Sequence, residues 1–369
     1  MQKLEIKLKD KINCNNNDKE NIEEIIKKLS FISKDILEFE IKEQIIIIYC
    51  ENDADINKIE KRIYDLIDNL SNNINNSEEI YFQNIVKRSY TSTDDIMSEK
   101  YVINFGEGSI GLSGKALELF EYFDNTFKGF ALELGGIEEK YPVLLSNKTL
   151  KDTGYLRTSP QYIHYINSIE EDVDILCDLW KYESAEEFYS DSVGVLSPSA
   201  CFHVYERYRN SLLEQCKTVT LLQSVFRNEG RFNWKEYGRL RDYHVREIVF
   251  IGSENYVRES LTLLMDKTSK FIRNTGFTGE IKTASDPFVI PDMQKYKLLQ
   301  LKNKVKYEVK LNYSESRQMS VASFNFHGKS FTYPFNIKVE NETETVTGCV
   351  GYGLERWVLA YLSQFGNKS

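Results

Sequence analysis

The sequence is poor in the features that define several protein classes. Its six cysteines (Cys14, Cys50, Cys177, Cys201, Cys216 and Cys349) are scattered, with no C-x-x-C pair among them. That excludes a disulfide-stapled scaffold, and the default reading of each is a small buried hydrophobe. No run of about eighteen apolar residues occurs, so no segment reads as a membrane span. The first residues, MQKLEIKLKDKIN, have no apolar signal core, and a cytoplasmic location is expected. Basic residues are outnumbered, and the net charge of −9 argues against a general polyanion binder while leaving a local basic patch open. Glycine and proline breaks are few, and there is no internal repeat. What is present is 369 residues, 41% hydrophobic and 13% aromatic, enough for a large core in one or two domains.

The first 86 residues have a clear rhythm. KLEIKL alternates as a strand, and Ile22, Ile25, Ile26 and Leu29 mark a helical face. LEFEI and IIIIYC follow as strands. Asp55 can cap a helix carrying Ile56, Ile59, Ile63, Leu66, Ile67 and Leu70, and IYFQNIV closes the series. The order β-α-β-β-α-β is the ferredoxin-like pattern and predicts a small N-terminal domain over 1–86, with a docking or scaffolding role. The polar stretch 87–100 reads as a linker. Residues 101–369 read as a single α+β domain, with Ser253 capping an amphipathic helix that carries Val257, Leu261, Leu264, Met265 and Ile272.

Three stretches carry chemistry. GFALELGGIEEKYPVLLS reads as a helix leading into a strand at Pro142 and is bland alone. VFRNEG followed by LRDYHVREIVFIG reads as a hairpin with Arg227 and Glu229 on one face and Tyr243 and Glu247 on the returning strand. A guanidinium there can clamp an α-phosphate, a carboxylate can accept from an adenine amine, and an aromatic ring can stack the base. The same hairpin could equally carry an exposed cross-strand charge pair. GCVGYGLERW fits a strand turning into a helix, where Gly351 and Gly353 let a nucleotide approach the backbone and Arg356 meets the γ-phosphate. It is not a dinucleotide fingerprint, because the third glycine is Arg356 and no βαβ unit follows. HGKS at 327–330 is not a P-loop, since the required first glycine is Ser323.

The F-R-x-E hairpin and the distant G-x-G-x-x-R run together resemble motifs 2 and 3 of class II aminoacyl-tRNA synthetases, and the stretch around Pro142 resembles motif 1. SPSACFHVYE, HVRE, SFNFH and CVGYGLER narrow the resemblance to the amino acid–carrier protein ligases, relatives of atypical zinc-dependent seryl-tRNA synthetases. It covers roughly residues 100 to 369 and not the N-terminal domain. It implies an antiparallel sheet flanked by helices, a homodimer built through motif 1, and activation of an amino acid by ATP. By motif position it implies zinc on Cys201, Glu247 and Cys349, three ligands with one position left open. Buried thiols at 201 and 349, and a salt bridge from Glu247 to Arg246 or Arg227, are the plain alternatives. The resemblance further suggests Glu308 as a magnesium ligand and Ser323 and Asn325 as pocket residues, with His327 structural.

The implied enzyme forms an aminoacyl-adenylate of a small amino acid (glycine, alanine or serine) and passes it to a phosphopantetheine thiol. A carrier protein is preferred to tRNA because the N-terminal region lacks both a long helical arm and a basic stripe. The lysines 295, 297, 302, 304, 306 and 310 could dock an acidic carrier. The alternatives are a tRNA-charging seryl-type enzyme and an inactive paralogue that serves as a binding module.

Overall fold

Alternating apolar positions in the second half of the chain build one sheet. In the computed structural model, which describes residues 1–8, 17–42, 45–71, 79–98, 100–182, 189–290 and 293–366, that sheet has eight strands. Their order is Ile80–Asn84, Gly279–Thr283, Lys306–Asn312, Gln318–Gly328, Val346–Gly353, Asp242–Gly252, Lys217–Phe226 and Ile137–Glu138. Neighbours pair antiparallel except the last, which runs parallel to Lys217–Phe226. Cys14 lies outside the described residues, as does the side chain of Lys295.

Side chains alternate across a strand, so each strand supplies two faces. One face presents Ile248, Phe250, Ala322, Phe324, Val350 and Tyr352 to the helices Gly114–Glu133, Glu254–Thr275 and Leu354–Phe365. Phe123, Phe127 and Trp357 from those helices are fully buried against it, each contributing roughly 1.5–3 kcal/mol by removal from water. Ser253 caps Glu254–Thr275 by accepting from the Tyr256 amide at 3.4 Å, and Gly276 ends that helix in a left-handed turn, φ 77°. The five apolar residues expected on its buried side are all buried. The opposite face packs a second core, with Val219, Leu221 and Val249 against Val204, Tyr205 and Phe335, and the part left uncovered is where the site lies.

The N-terminal elements occur in the expected order, and Asp55 caps Ile56–Ser71 by accepting from the Lys58 amide at 3.0 Å. The closing strand differs from a ferredoxin-like arrangement. The N-terminal sheet has three strands, Gln2–Lys7, Ile45–Cys50 and Ile36–Lys42 in that spatial order, while Ile80–Asn84 pairs with Gly279–Thr283 at the edge of the large sheet. Asn84 donates to the Phe277 carbonyl at 2.6 Å and fixes it there. The stretch 87–100 is also more than a tether. The Thr91 amide donates to the Ser363 carbonyl at 2.9 Å, and Ile96 of the helix Thr93–Ser98 is buried. Cys50, Cys201 and Cys349 are buried as expected, but Cys177 is exposed on the helix Val173–Tyr182. Among the described residues no helix is long and apolar enough to cross a membrane.

Candidate active site

The free face of the sheet floors a cleft of about 2150 Å³. Strand register places its functional residues in rows. Glu308, Ser323, Gly351 and Glu247 are successive cross-strand partners, and Asn325 pairs with Cys349 in the next row. Because the side-chain period is two, Cys349, Gly351 and Gly353 share this face with Glu247 and Tyr243.

At one end of the cleft, Cys201, Glu247 and Cys349 come together. One potential ligand atom from each lies within 4.8 Å of the other two. Cys201 arrives from the turn before the helix Phe202–Arg207, and the other two come from adjacent strands. All three are at least 95% buried, and both cysteines are free thiols. Burial pushes the Glu247 carboxyl up to about 7. The Cys349 thiol is raised by its contact with Cys201 and by burial. Three acids packed together away from water fit a cation that would favour their charged forms, and a Cys-Glu-Cys donor set suits zinc. Asn325 donates to Cys349 Sγ at 3.7 Å, and Ser199 Oγ is 3.2 Å from Cys201 Sγ. Arg246 is not Glu247's partner. It points to the other face, where it grips Asp124 at 2.7 and 2.9 Å and Glu138 at 3.1 Å.

His327 stands beside this cluster, its Nε2 3.7 Å from Cys349 Sγ and its Nδ1 3.2 Å from the Tyr205 hydroxyl. Burial lowers its pKa to about 4, so the ring is neutral. Gly351 has a reason unconnected with nucleotide. A Cβ there would come within 2.7 Å of Glu247 Oε2, so the glycine makes room for the carboxylate. At Gly353 the nearest atoms would be 3.6 Å away, an ordinary contact.

The other end of the cleft gathers charge. The expected strand reaches Glu229, but it ends at Phe226, so Arg227 and Glu229 sit on the loop that follows. Arg227 Nε donates to the Pro198 carbonyl at 2.9 Å, which holds the guanidinium by one edge. Glu229 is buried and paired with Arg239 at 3.2 Å. Arg356, in the first turn after the strand Val346–Gly353, donates to the Gly238 carbonyl at 2.9 Å and to Ser320 O at 3.3 Å. Its guanidinium lies 4.8 Å from the Tyr243 ring centroid, so one face of the ring read as an adenine platform carries Arg356. Glu308 is held by Lys306 at 3.2 Å, and Lys306 also binds Asp286 at 2.6 Å. A magnesium ion at Glu308 would therefore share that carboxylate with Lys306. Burial works against the Glu308 charge, but Lys306 and Lys310 outweigh it and keep the group ionised. Arg239 and Asp286 escaped the sequence reading because no local pattern marks them, and Lys306 reads there only as part of a docking run. They converge only through the loop and the sheet register.

The lysine run does not form one docking face. Lys306 and Lys310 line the cleft, Lys297 is ion-paired to Glu24 at 2.5 Å, and Lys304 is ion-paired to Glu79 at 2.5 Å. The helix Gln294–Lys302 and the strand Lys306–Asn312 turn the lysines in different directions.

An antiparallel sheet ending in a strand-to-helix turn, with a charged cleft on its free face, defines a class II synthetase catalytic domain. Residues 183–365 match the family described as tRNA synthetase class II core domain (G, H, P, S and T). This chain carries that domain. It is 26% identical over 241 residues to amino acid–[acyl-carrier-protein] ligase 1 of Bradyrhizobium diazoefficiens, covering 63% of this chain and 73% of that protein. It is 23% identical over 253 residues to the type-2 serine–tRNA ligase of Methanocaldococcus jannaschii, covering 63% of this chain and 48% of that protein. The matched part thus spans about half of the serine–tRNA ligase. In fold, the chain is similar to Methanopyrus kandleri SerRS, solved with A. aeolicus tRNASec, with a TM-score of 0.65 and 19% identity over 99% of this chain and 75% of that one.

Proposed function

We propose that this protein activates a small amino acid with ATP and transfers it to the phosphopantetheine thiol of a carrier protein. The observation that carries the reading is the Cys201, Glu247 and Cys349 cluster lining the same cleft as Arg227, Glu229 and Arg356. In the first step the substrate carboxylate attacks the α-phosphorus, the α–β bond breaks, and pyrophosphate leaves. Arg227 neutralises the α-phosphate, Arg356 the γ-phosphate, and Glu229 accepts from the adenine amine beside Tyr243. Class II synthetases work with ATP and magnesium, and Glu308 is the candidate magnesium ligand here. Cys201, Glu247 and Cys349 would hold zinc, whose remaining position would take the substrate's neutral α-amine. Ser323 and Asn325 border the space left for a small side chain. In the second step the thiol attacks the acyl carbon and AMP leaves.

The acceptor is tested by offering the adenylate-forming protein a phosphopantetheinylated carrier and total tRNA in parallel. Thioester on the carrier and no stable tRNA charging is the expected result. Efficient tRNA charging would overturn it. One observation favours that second reading: the likeness to the M. kandleri SerRS covers 99% of this chain, the N-terminal unit included. Against it, residues 1–86 carry more acidic than basic side chains, a poor surface for a polyanion.

We also propose a homodimer through the motif 1 region. Ile137–Glu138 is an edge strand, and Leu132, Ile137, Val143 and Leu144 are 41–52% exposed around it. An open edge beside apolar side chains invites a second copy. Sedimentation at micromolar concentration should report twice the 43.1 kDa chain mass, and a monomer alone would contradict the proposal.

A further inference from the structure

Among its described residues the N-terminal unit carries no catalytic constellation, yet its helix Asn17–Leu29 reaches the nucleotide end of the cleft, where Glu24, Ile26 and Lys27 form part of the wall. Its contacts fall on the loop that joins the two hairpin strands. Gly230 lies so close that a Cβ would meet Ser30 Cβ at 2.7 Å and Phe31 Cζ at 2.8 Å. Arg231 spreads its guanidinium over four carbonyls just past the helix end: Ser30 at 3.2 Å, Ser33 at 2.9 Å, Lys34 at 3.3 Å and Ile36 at 2.6 Å. These carbonyls lie in the turn after the helix and at the first residue of the strand Ile36–Lys42, and a planar guanidinium fork can serve several of them at once. The Phe232 amide donates to Ser30 Oγ at 3.1 Å, and its ring packs edge-on against Phe39 at 5.3 Å.

Asn233 completes the connection. This buried side chain donates to the Lys27 carbonyl at 3.0 Å and to the Glu229 carbonyl at 2.5 Å. The backbone of the candidate adenine-reading residue is therefore one amide away from the N-terminal helix. The loop's far end meets the same site, since Arg239 holds the Glu229 carboxylate and the Gly238 carbonyl anchors Arg356. Across the cleft, Glu24 of the same helix grips Lys297.

We infer that the N-terminal unit is a positioning element of the ATP site, with Arg231 and Asn233 as the positioning residues that hold the loop bearing Glu229. The inference rests on the ATP reading above. A docking module would be free to hang from the domain. A module hydrogen-bonded to the loop sets the geometry in which ATP binds, and its loss is felt in ATP affinity before chemistry.

The test uses full-length Arg231→Ala, Arg231→Lys and Asn233→Ala in pyrophosphate exchange. Removing these hydrogen bonds should raise KM for ATP about tenfold, with kcat and the amino acid KM held within about threefold. Lysine at 231 should recover only part of the loss, because one ammonium cannot reproduce the fork. Hydrogen exchange of the amides at 228–240 should quicken in Asn233→Ala, and this variant carries the test if Arg231→Ala does not fold. An unchanged KM for ATP, or a loss confined to kcat and melting temperature, would overturn the inference while leaving the ATP reading intact. Absence of exchange in the unaltered protein would remove both.

Discussion

Cys349→Ser is expected to lose its zinc and its amino acid activation together. The unaltered protein should carry about one zinc per chain, and the variant close to none, because only two of three protein ligands remain. Pyrophosphate exchange should fall by at least about a hundredfold, since the substrate amine loses its anchor and positioning supplies much of the rate. The fold should persist. Cys349 sits mid-strand, paired with Val249 and Asn325, and serine keeps that backbone and nearly that volume. A buried hydroxyl beside Asn325 and His327 has hydrogen-bonding partners within reach, so the cost should stay at about 1–2 kcal/mol. Zinc by atomic absorption, exchange and a thermal melt read the three outcomes separately. A freshly purified parent protein without zinc would dismiss the metal site, and the cluster would then be two buried thiols and a raised carboxyl.

Arg227→Ala is expected to abolish adenylate formation with little loss of stability. Its side-chain contacts include one hydrogen bond to the Pro198 carbonyl and a ring contact with Tyr162, 5.9 Å away, and its charge also acts on Glu229, Glu247 and Asp286. Losing those two contacts costs about 1 kcal/mol. Its proposed catalytic task is larger, because charge builds on the α-phosphate at the transition state and the guanidinium meets it there. Removing such a group typically lowers kcat by about two to three orders of magnitude. The predicted pattern is therefore a near-native melting temperature, retained zinc and absent exchange. Near-normal exchange would move the α-phosphate elsewhere, and Arg239 and Lys306 would be the next candidates.

Local patterns in the sequence make much of this molecule legible. Hydrophobic alternation and spacing marked the hairpin, the strand-to-helix turn at Gly353 and the amphipathic helix after Ser253. Each of these depends on neighbours within a few residues. The Cys201, Glu247 and Cys349 cluster could not be read that way. Its members are far apart in the chain, and only the register of two strands and the turn before Phe202 bring them together. Resemblance reached what spacing could not.

Other parts were misread for physical reasons. Ile80–Asn84 has the pattern of a strand, but a pattern does not name a partner, and the strand pairs with Gly279–Thr283. The lysines at 297–310 look like one basic face in the sequence. The change from helix to strand after Lys302 splits them, and Glu24, Glu79, Asp286 and Glu308 pair with three of them, Lys297, Lys304 and Lys306. Gly351 looked like a nucleotide glycine, and the contact it permits is with Glu247. The attachment of Arg231 to the N-terminal unit had no signal at all, since a single arginine on a polar loop is indistinguishable from a solvated one.

The central claim is that this cleft activates an amino acid with ATP. Exchange of labelled pyrophosphate into ATP, measured for each amino acid in turn on the zinc-containing protein with magnesium, tests it most directly. Exchange that depends on one small amino acid, glycine, alanine or serine, is the predicted result. No exchange above background with any amino acid would contradict the account and leave the domain a synthetase fold put to use as a binding module.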